Sequence, residues 1–249
     1  MPNLPDAIVL CGGAGLRLRE ITGNGPKSMA EVRGRPFLEL LLRQLRRNCF
    51  ERAVLAVGYQ QNVIRSYFGE QAFSVQLVYS AESSPLGTGG ALRNAACLVD
   101  SDAALIMNGD SYTDADLAAF VADHYQSTAD VSLLVVPADG RNDCGTVRVK
   151  KDGSIAQFHE KQPCAYGEYV NAGVYMVSRR MIHKIRPGVQ ISLEQDLFRQ
   201  WLCEGRHLRA SIHLGTCVDI GTPARYQTAQ EILADVELDT LSPVGGKAL

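Results

Sequence analysis

The sequence predicts an α/β fold with a mixed, mostly parallel central sheet flanked by helices. Short apolar runs alternate with helical patterns, glycines close several of those runs, and the later strands read as hairpins. Alternation at this spacing implies right-handed crossovers, which place ligands beyond the carboxyl ends of the strands. The length of 249 residues, with 46% hydrophobic and 21% charged, suits one domain. It is read as 1–237, with a first half to about 135, a second from about 136, and a tail at 238–249.

The run AIVLCG, at 7–12, is apolar and closed by glycine, as suits a buried parallel strand feeding a loop. Its helix is delayed to PFLELLLRQLRRNCF, with Pro36 in the first turn and Phe37, Leu41, Leu45 and Cys49 along one face. Strand AVLAVG, helix NVIRSYF, strand VQLVYSA and helix ALRNAACL follow, then strand ALIMNGD and helix DADLAAFVADHY. After VSLLVVPA, the segment CGTVRVKKDGSIAQFHEK reads as a hairpin turning at Asp152 and Gly153, and EYVNAGVYMVS as another strand. These form a second wall of a cleft. Ser192 and Gln195 make a capping-box pattern for helix SLEQDLFRQWLCEG. Strands LRASIHL and TCVDIG and helix TPARYQTAQEILADVEL complete the domain.

A net charge of −2 supplies no broad cationic field, so a small acidic or neutral partner is expected rather than nucleic acid. The seven cysteines show no CxxC or zinc spacing, and their odd number leaves no complete disulfide set. Reduced thiols in a cytoplasm are the expectation. No segment approaches the roughly 18 apolar residues of a membrane span, and no membrane partner is expected.

CGGAGLRLREITGNGPKSMAEV, residues 11–32, sets five glycines, two arginines and a lysine directly after the first strand. Glycines there let backbone N–H groups approach an anion, and Arg17 with Lys27 can neutralise phosphate oxygens, so a nucleoside triphosphate is suggested. The spacing is neither a GxxxxGK[ST] loop nor GxGxxG. Glycine richness alone equally suits a structural turn.

GGAGLRL followed by PKSMAEVRGRPFLE resembles the signature of the sugar-1-phosphate nucleotidyltransferases, usually GGxGTRL with a downstream PKP. PLGTGGAL, NGD, EK, NAGVY, SLEQD and VDIGTP follow in that family's order, so the resemblance runs from about residue 7 to 235. It implies a Rossmann-like nucleotidyltransferase fold, with the first half binding nucleotide and the second sugar phosphate. Leu16 departs from the family's threonine and removes a hydroxyl contact to phosphate.

The reaction implied is attack by a sugar 1-phosphate oxygen on the α-phosphorus of a nucleoside triphosphate, with pyrophosphate leaving. Both reactants are anionic, so alignment and charge neutralisation should supply catalysis. The resemblance assigns Arg17, Lys27 and Asp110 as catalytic, and Asp110 with Asp219 as ligands of one Mg²⁺ through hard oxygens. Capping a neighbouring turn or helix is the other role open to either aspartate. Nucleotide contacts fall to Leu10, Gly12, Gly13, Ala14, Gly15, Gly87, Thr88, Asn108 and Glu82. Glu82 favours guanine, whose adjacent N–H donors at N1 and N2 suit a carboxylate, unless it points to solvent. Sugar-phosphate contacts fall to Gly145, Glu160, Lys161, Asn171, Gly173 and Glu194. Outside the family, Gly145 suits a bulge, Asn171 a turn, Lys161 a solvated surface, and Glu194 the first turn of a helix.

The motif details are most similar to short bacterial enzymes that make GDP-D-glycero-α-D-manno-heptose, which places GTP and a heptose 1-phosphate first, for capsule or other surface polysaccharide. A mannose-1-phosphate guanylyltransferase and a uridylyl- or thymidylyltransferase are the alternatives in class. A non-catalytic nucleotide-sugar-binding subunit should have lost Arg17, Lys27 or an aspartate, and Leu16 is its only support. A DxD glycosyltransferase is disfavoured, because DAD at 114–116 starts a predicted helix. His159 and His183 lie beside no nucleophile motif, and Cys11 reads as a packed small side chain. Family members are commonly oligomeric, so a homo-oligomer is expected by analogy alone. Arg17→Ala and Asp110→Ala are each expected to abolish pyrophosphate release while a circular-dichroism melt shows the fold retained. Near-normal release by either would remove that residue from the reaction.

Overall fold

The computed structural model describes residues 4–138, 145–159 and 169–234, so the tail at 238–249 lies outside the described residues. The first half contains strands β1 (Ala7–Leu10), β2 (Glu31–Val32), β3 (Arg35–Pro36), β4 (Arg52–Val57), β5 (Gln71–Ala72), β6 (Val75–Ala81), β7 (Ala103–Asn108) and β8 (Ser111–Thr113). Its helices are α1 (Arg19–Thr22), α2 (Phe37–Arg47), α3 (Gln61–Phe68), α4 (Gly87–Ala95) and α5 (Leu117–Ser127). The second half adds β9 (Val131–Pro137), β10 (Thr146–Val149), β11 (Ile155–His159), β12 (Tyr169–Ser178), β13 (Leu208–Ile212) and β14 (Cys217–Asp219). With them come α6 (Arg179–Lys184), α7 (Phe198–Cys203) and α8 (Pro223–Ile232).

The main sheet runs β11-β10-β12-β7-β1-β4-β6-β5, with β9 and β13 joined to it through β12. Its centre is parallel: β1 pairs with β4 and β7, and β4 with β6. β12 enters antiparallel between β7 and β9 and makes the sheet mixed. Strand side chains alternate between two cores, as the two-residue period requires. Ala7 and Val9 join one core with Phe37, Leu41 and Leu45 of α2, and Ile8 joins the other with Leu92 of α4 and Trp201 of α7. α2 forms because Phe37, Leu38, Leu41, Leu42 and Leu45 share a face, and all five are fully buried. Each contributes about 1.5–3 kcal/mol by leaving water. Pro36 stands just before that helix as its N-cap, one position earlier than the sequence suggests.

α4 begins at Gly87, four residues before the ALRNAACL segment that the helical pattern marks. Glycines disfavour helix, so propensity hides this first turn. Tertiary contact restores it: Gly89 N–H and Gly90 N–H donate to Ile191 O at 2.9 and 3.2 Å, and Ile191 N–H donates to Leu86 O at 2.9 Å. Those bonds satisfy helix-start donors that otherwise lack partners. The approach leaves no room for side chains, since a Cβ on Gly90 would lie 2.6 Å from Val189 O. Gly90→Ala, which in an open helix gains about 1 kcal/mol, is therefore expected to lose about 1–3 kcal/mol here. Urea unfolding decides, and a gain in stability would show that this approach is not rigid.

Candidate active site

The carboxyl ends of β1, β4, β6 and β7 open on one cavity of 620 Å³. That volume suits a small-molecule ligand. Leu10 to Ala14 follow β1, Gly58 and Tyr59 follow β4, Glu82 to Pro85 follow β6, and Asn108 to Asp110 end β7; all line it. Gly87, Thr88 and Ala91 come from α4, Gln190 from the segment packed on it, and Lys27 and Ser28 from the returning loop. Three glycines of this wall are needed for close approach. A Cβ on Gly12 or Gly58 would lie 2.8 or 2.5 Å from Glu82 Oε1, and one on Gly109 would lie 2.6 Å from Leu10 O.

The glycine loop is tied to the lysine segment. Lys27 N–H donates to Gly13 O at 3.2 Å, and Gly15, in the left-handed region at φ 60°, lies where a Cβ would be 2.9 Å from Lys27 Cβ. This packing turns Lys27 inward, and its ammonium pairs with Asp110. Arg17 stands exposed in the short turn Leu16–Leu18 and does not line the cavity; Leu16 beside it is 67% exposed.

Asp110 and Asp219 are brought together by a small ribbon. β8 and β14 pair antiparallel with Asp219 opposite Ser111, and Ile220 N–H donates to Asp110 O at 3.0 Å. Among the described residues no group of three or more His, Cys, Asp or Glu could hold a metal. Two carboxylates at strand ends nevertheless fit a hard divalent cation whose other ligands are water and phosphate oxygens. Asp219 has a partner that the sequence did not reveal: Arg225 Nη1 lies 3.1 and 3.0 Å from its two oxygens.

Glu82 does not extend into solvent. Its Oε2 accepts from Leu86 N–H at 3.2 Å while Oε1 lies against the glycine backbones of the cavity wall. Burial pushes its carboxyl above the ordinary carboxylate range, and the Leu86 bond offsets part of that shift. Cys11, fully buried, is pushed up to about 12 chiefly by desolvation, so its thiol stays protonated and packs as a small apolar group.

Glu194 sits behind the cavity lining, with four donors around it. Thr88 Oγ1 at 2.6 Å and Ser192 Oγ at 2.9 Å donate to Oε2, and Tyr175 Oη at 3.1 Å and Asn108 Nδ2 at 3.3 Å donate to Oε1. Tyr175, fully buried, also accepts from Asn171 Nδ2 at 2.6 Å. Asn171 N–H in turn donates to Gly145 O at 2.9 Å. Gly173, at φ 76° in a strand irregularity, lets β12 approach Ser111 and Asn108. These sugar-side residues therefore form one network rather than separate contacts in the cavity. Glu160 and Lys161 lie outside the described residues. Gly58 and Tyr59 were missed although Gly58 closes the apolar run AVLAVG; Tyr175 ends the NAGVY segment but was not singled out within it, and nothing in the sequence marked Arg225.

Comparison with known proteins adds four findings. A family model described as nucleotidyl transferase matches residues 6–236. The chain is 34% identical over 223 residues to a mannose-1-phosphate guanylyltransferase of Mycobacterium tuberculosis, covering 89% of this chain but 62% of that protein's length. It is 31% identical to a D-glycero-alpha-D-manno-heptose 1-phosphate guanylyltransferase of Aneurinibacillus thermoaerophilus, covering 92% of this chain and 98% of that one. Among solved structures, HddC from Yersinia pseudotuberculosis complexed with GMP-PN superposes with a TM-score of 0.79 at 27% identity, covering 92% of this chain and 100% of that chain.

The raised Glu82 carboxyl has a signed consequence for stability. With the folded value above the unfolded one, the ionised form opposes folding, an effect absent below the unfolded value and complete above the folded one. Glu82→Gln, which keeps an acceptor for Leu86 N–H, is expected to melt above the parent protein at pH 7, the gap closing as pH falls through the carboxylate range. A gap independent of pH would mean that desolvation of this carboxylate does not limit stability.

Proposed function

The chain belongs to the nucleotidyl transferase family and is a sugar-1-phosphate nucleotidyltransferase, and within that class we propose that it transfers GMP from GTP to D-glycero-α-D-manno-heptose 1-phosphate. GDP-heptose and pyrophosphate are the products, for a surface polysaccharide such as capsule. The observation that carries GTP is Glu82, a carboxylate held at the cavity wall with Oε1 facing the glycine loop, where guanine N1–H and N2–H can be accepted. Heptose is favoured by a relative of that name that is matched over 98% of its length. Mannose 1-phosphate is the second reading, because a mannose-1-phosphate guanylyltransferase shares 34% identity.

In this mechanism the sugar 1-phosphate oxygen attacks the α-phosphorus, the bond from that phosphorus to the bridging oxygen breaks, and pyrophosphate leaves with the electron pair. No protein nucleophile is required. Lys27 leaves its carboxylate partner to meet the α-phosphate or the incoming phosphate, and the backbone of Gly12 to Ala14 lines the triphosphate. Arg17, exposed on its turn, swings in to meet the β and γ groups as they leave. Asp110 and Asp219 would hold Mg²⁺, which when bound screens phosphate charge and polarises the α-phosphoryl group. The second half supplies the sugar subsite through Asn171, Gly173 and the wall behind them, with Glu160 and Lys161 as further contacts. The protein works in the cytoplasm, and no described helix is long and apolar enough to cross a membrane.

Pyrophosphate release is to be measured with Mg²⁺ for GTP, UTP, dTTP, CTP and ATP against heptose, mannose, glucose and N-acetylglucosamine 1-phosphates. Release confined to GTP with the heptose phosphate is expected. A mannose optimum would move the assignment to the second reading, and a uridine or thymidine optimum would overturn the role of Glu82.

A further inference from the structure

The two carboxylates assigned to the cation are already occupied in the free protein. Asp110 Oδ2 pairs with Lys27 Nζ and its Oδ1 accepts from Ser111 Oγ at 3.2 Å. Asp219 Oδ1 accepts from Gly221 N–H at 2.7 Å, and Arg225 Nη1 lies across both of its oxygens. Both cations converge at Gly221, where an added Cβ would lie 3.6 Å from Arg225 Nη1 and 3.8 Å from Lys27 Nζ. Two positive and two negative groups thus meet around one glycine.

Local structure fixes Arg225 there. Thr222 caps α8, its Oγ1 accepting from Arg225 N–H at 3.3 Å, and Pro223 presets the first turn. That turn aims the guanidinium back along the chain at Asp219, six residues earlier. The side chains of Arg225 and Asp219 are 27% and 24% exposed, so the pair is half sheltered and can still open.

We propose that Arg225 is a positioning residue that makes cation binding depend on the nucleotide. The inference rests on the metal-dependent reading above. A divalent ion arriving alone must displace two protein cations from their carboxylates and then sits beside both of their charges. An ion arriving with a triphosphate brings phosphate oxygens that the displaced Lys27 and Arg225 can join, so the exchange balances in charge. Arg225 therefore suppresses binding of the bare ion, and the ion enters as its nucleotide complex.

The test is Mn²⁺ binding to the full-length protein, followed by the electron paramagnetic resonance signal of free Mn²⁺, with and without GTP. Arg225→Gln, which removes the charge, is expected to bind Mn²⁺ without nucleotide about three- to tenfold more tightly than the parent, the scale of a half-sheltered ion pair. Arg225→Lys, which keeps a charge on a shorter and more strongly hydrated group, should fall between them. The enhancement of Mn²⁺ binding by GTP should be largest in the parent. Unchanged or weaker binding in both variants, with melts showing a retained fold, would overturn the role of Arg225 while leaving the cation site standing. If Arg225→Gln does not fold, the lysine variant decides by the same comparison. Absence of Mn²⁺ binding in every protein even with GTP would overturn the cation site and this proposal with it.

Discussion

The parallel pairing of β1 with β4 and β7 is the constraint on which the rest of the structure depends. It sets Leu10 beside Ala56 on one side and Asn108 on the other, so three chain segments leave the sheet at the same level. A slip of one residue would exchange Ile8 with its neighbours between the two cores and turn apolar side chains the wrong way. Burial on both faces therefore fixes the register, and the register fixes where Gly12, Gly58, Glu82 and Asp110 meet. The cavity is a product of packing well behind it.

The charges of the site follow a different logic from the one a glycine-rich loop suggests. A row of arginines and a lysine reads as a positive lip waiting for phosphate. In the folded chain Lys27 is turned inward against Asp110, Arg225 covers Asp219, and Arg17 stands in solvent. Two of these three cations are thus paired with carboxylates, which avoids leaving like charges facing each other in a partly dry space.

Much of this was legible in the sequence. Strands of the parallel core announce themselves as apolar runs closed by glycine, and α2 by its apolar face. The cavity residues after β1, β6 and β7 could be named because their motifs resemble those of a known family. What escaped detection was set by contacts distant in sequence. α4 starts ahead of its apolar pattern because Ile191 bonds to its glycines, and β8 is three residues long, too short for any period. Tyr175 looks like an ordinary strand aromatic until its hydroxyl is found among Asn108, Asn171 and Glu194. Arg225 lies on a helix whose pattern says nothing of Asp219. Motif reasoning finds residues that touch ligands; it is weaker for those that hold them in place.

The network around Glu194 also bears on how the chain can be divided. Its members come from α4, β7, β12 and the turn before α7, and the Thr88 to Glu194 bond spans 106 positions. A ribosome releasing this chain exposes Thr88 and Asn108 long before their acceptor exists. Until Ser192 and Glu194 emerge, the floor of the cavity holds polar groups waiting for partners. The two halves are therefore poor candidates for exchange between related enzymes at a point between them: a graft would have to bring its own acid and its own hydroxyls, matched across the seam.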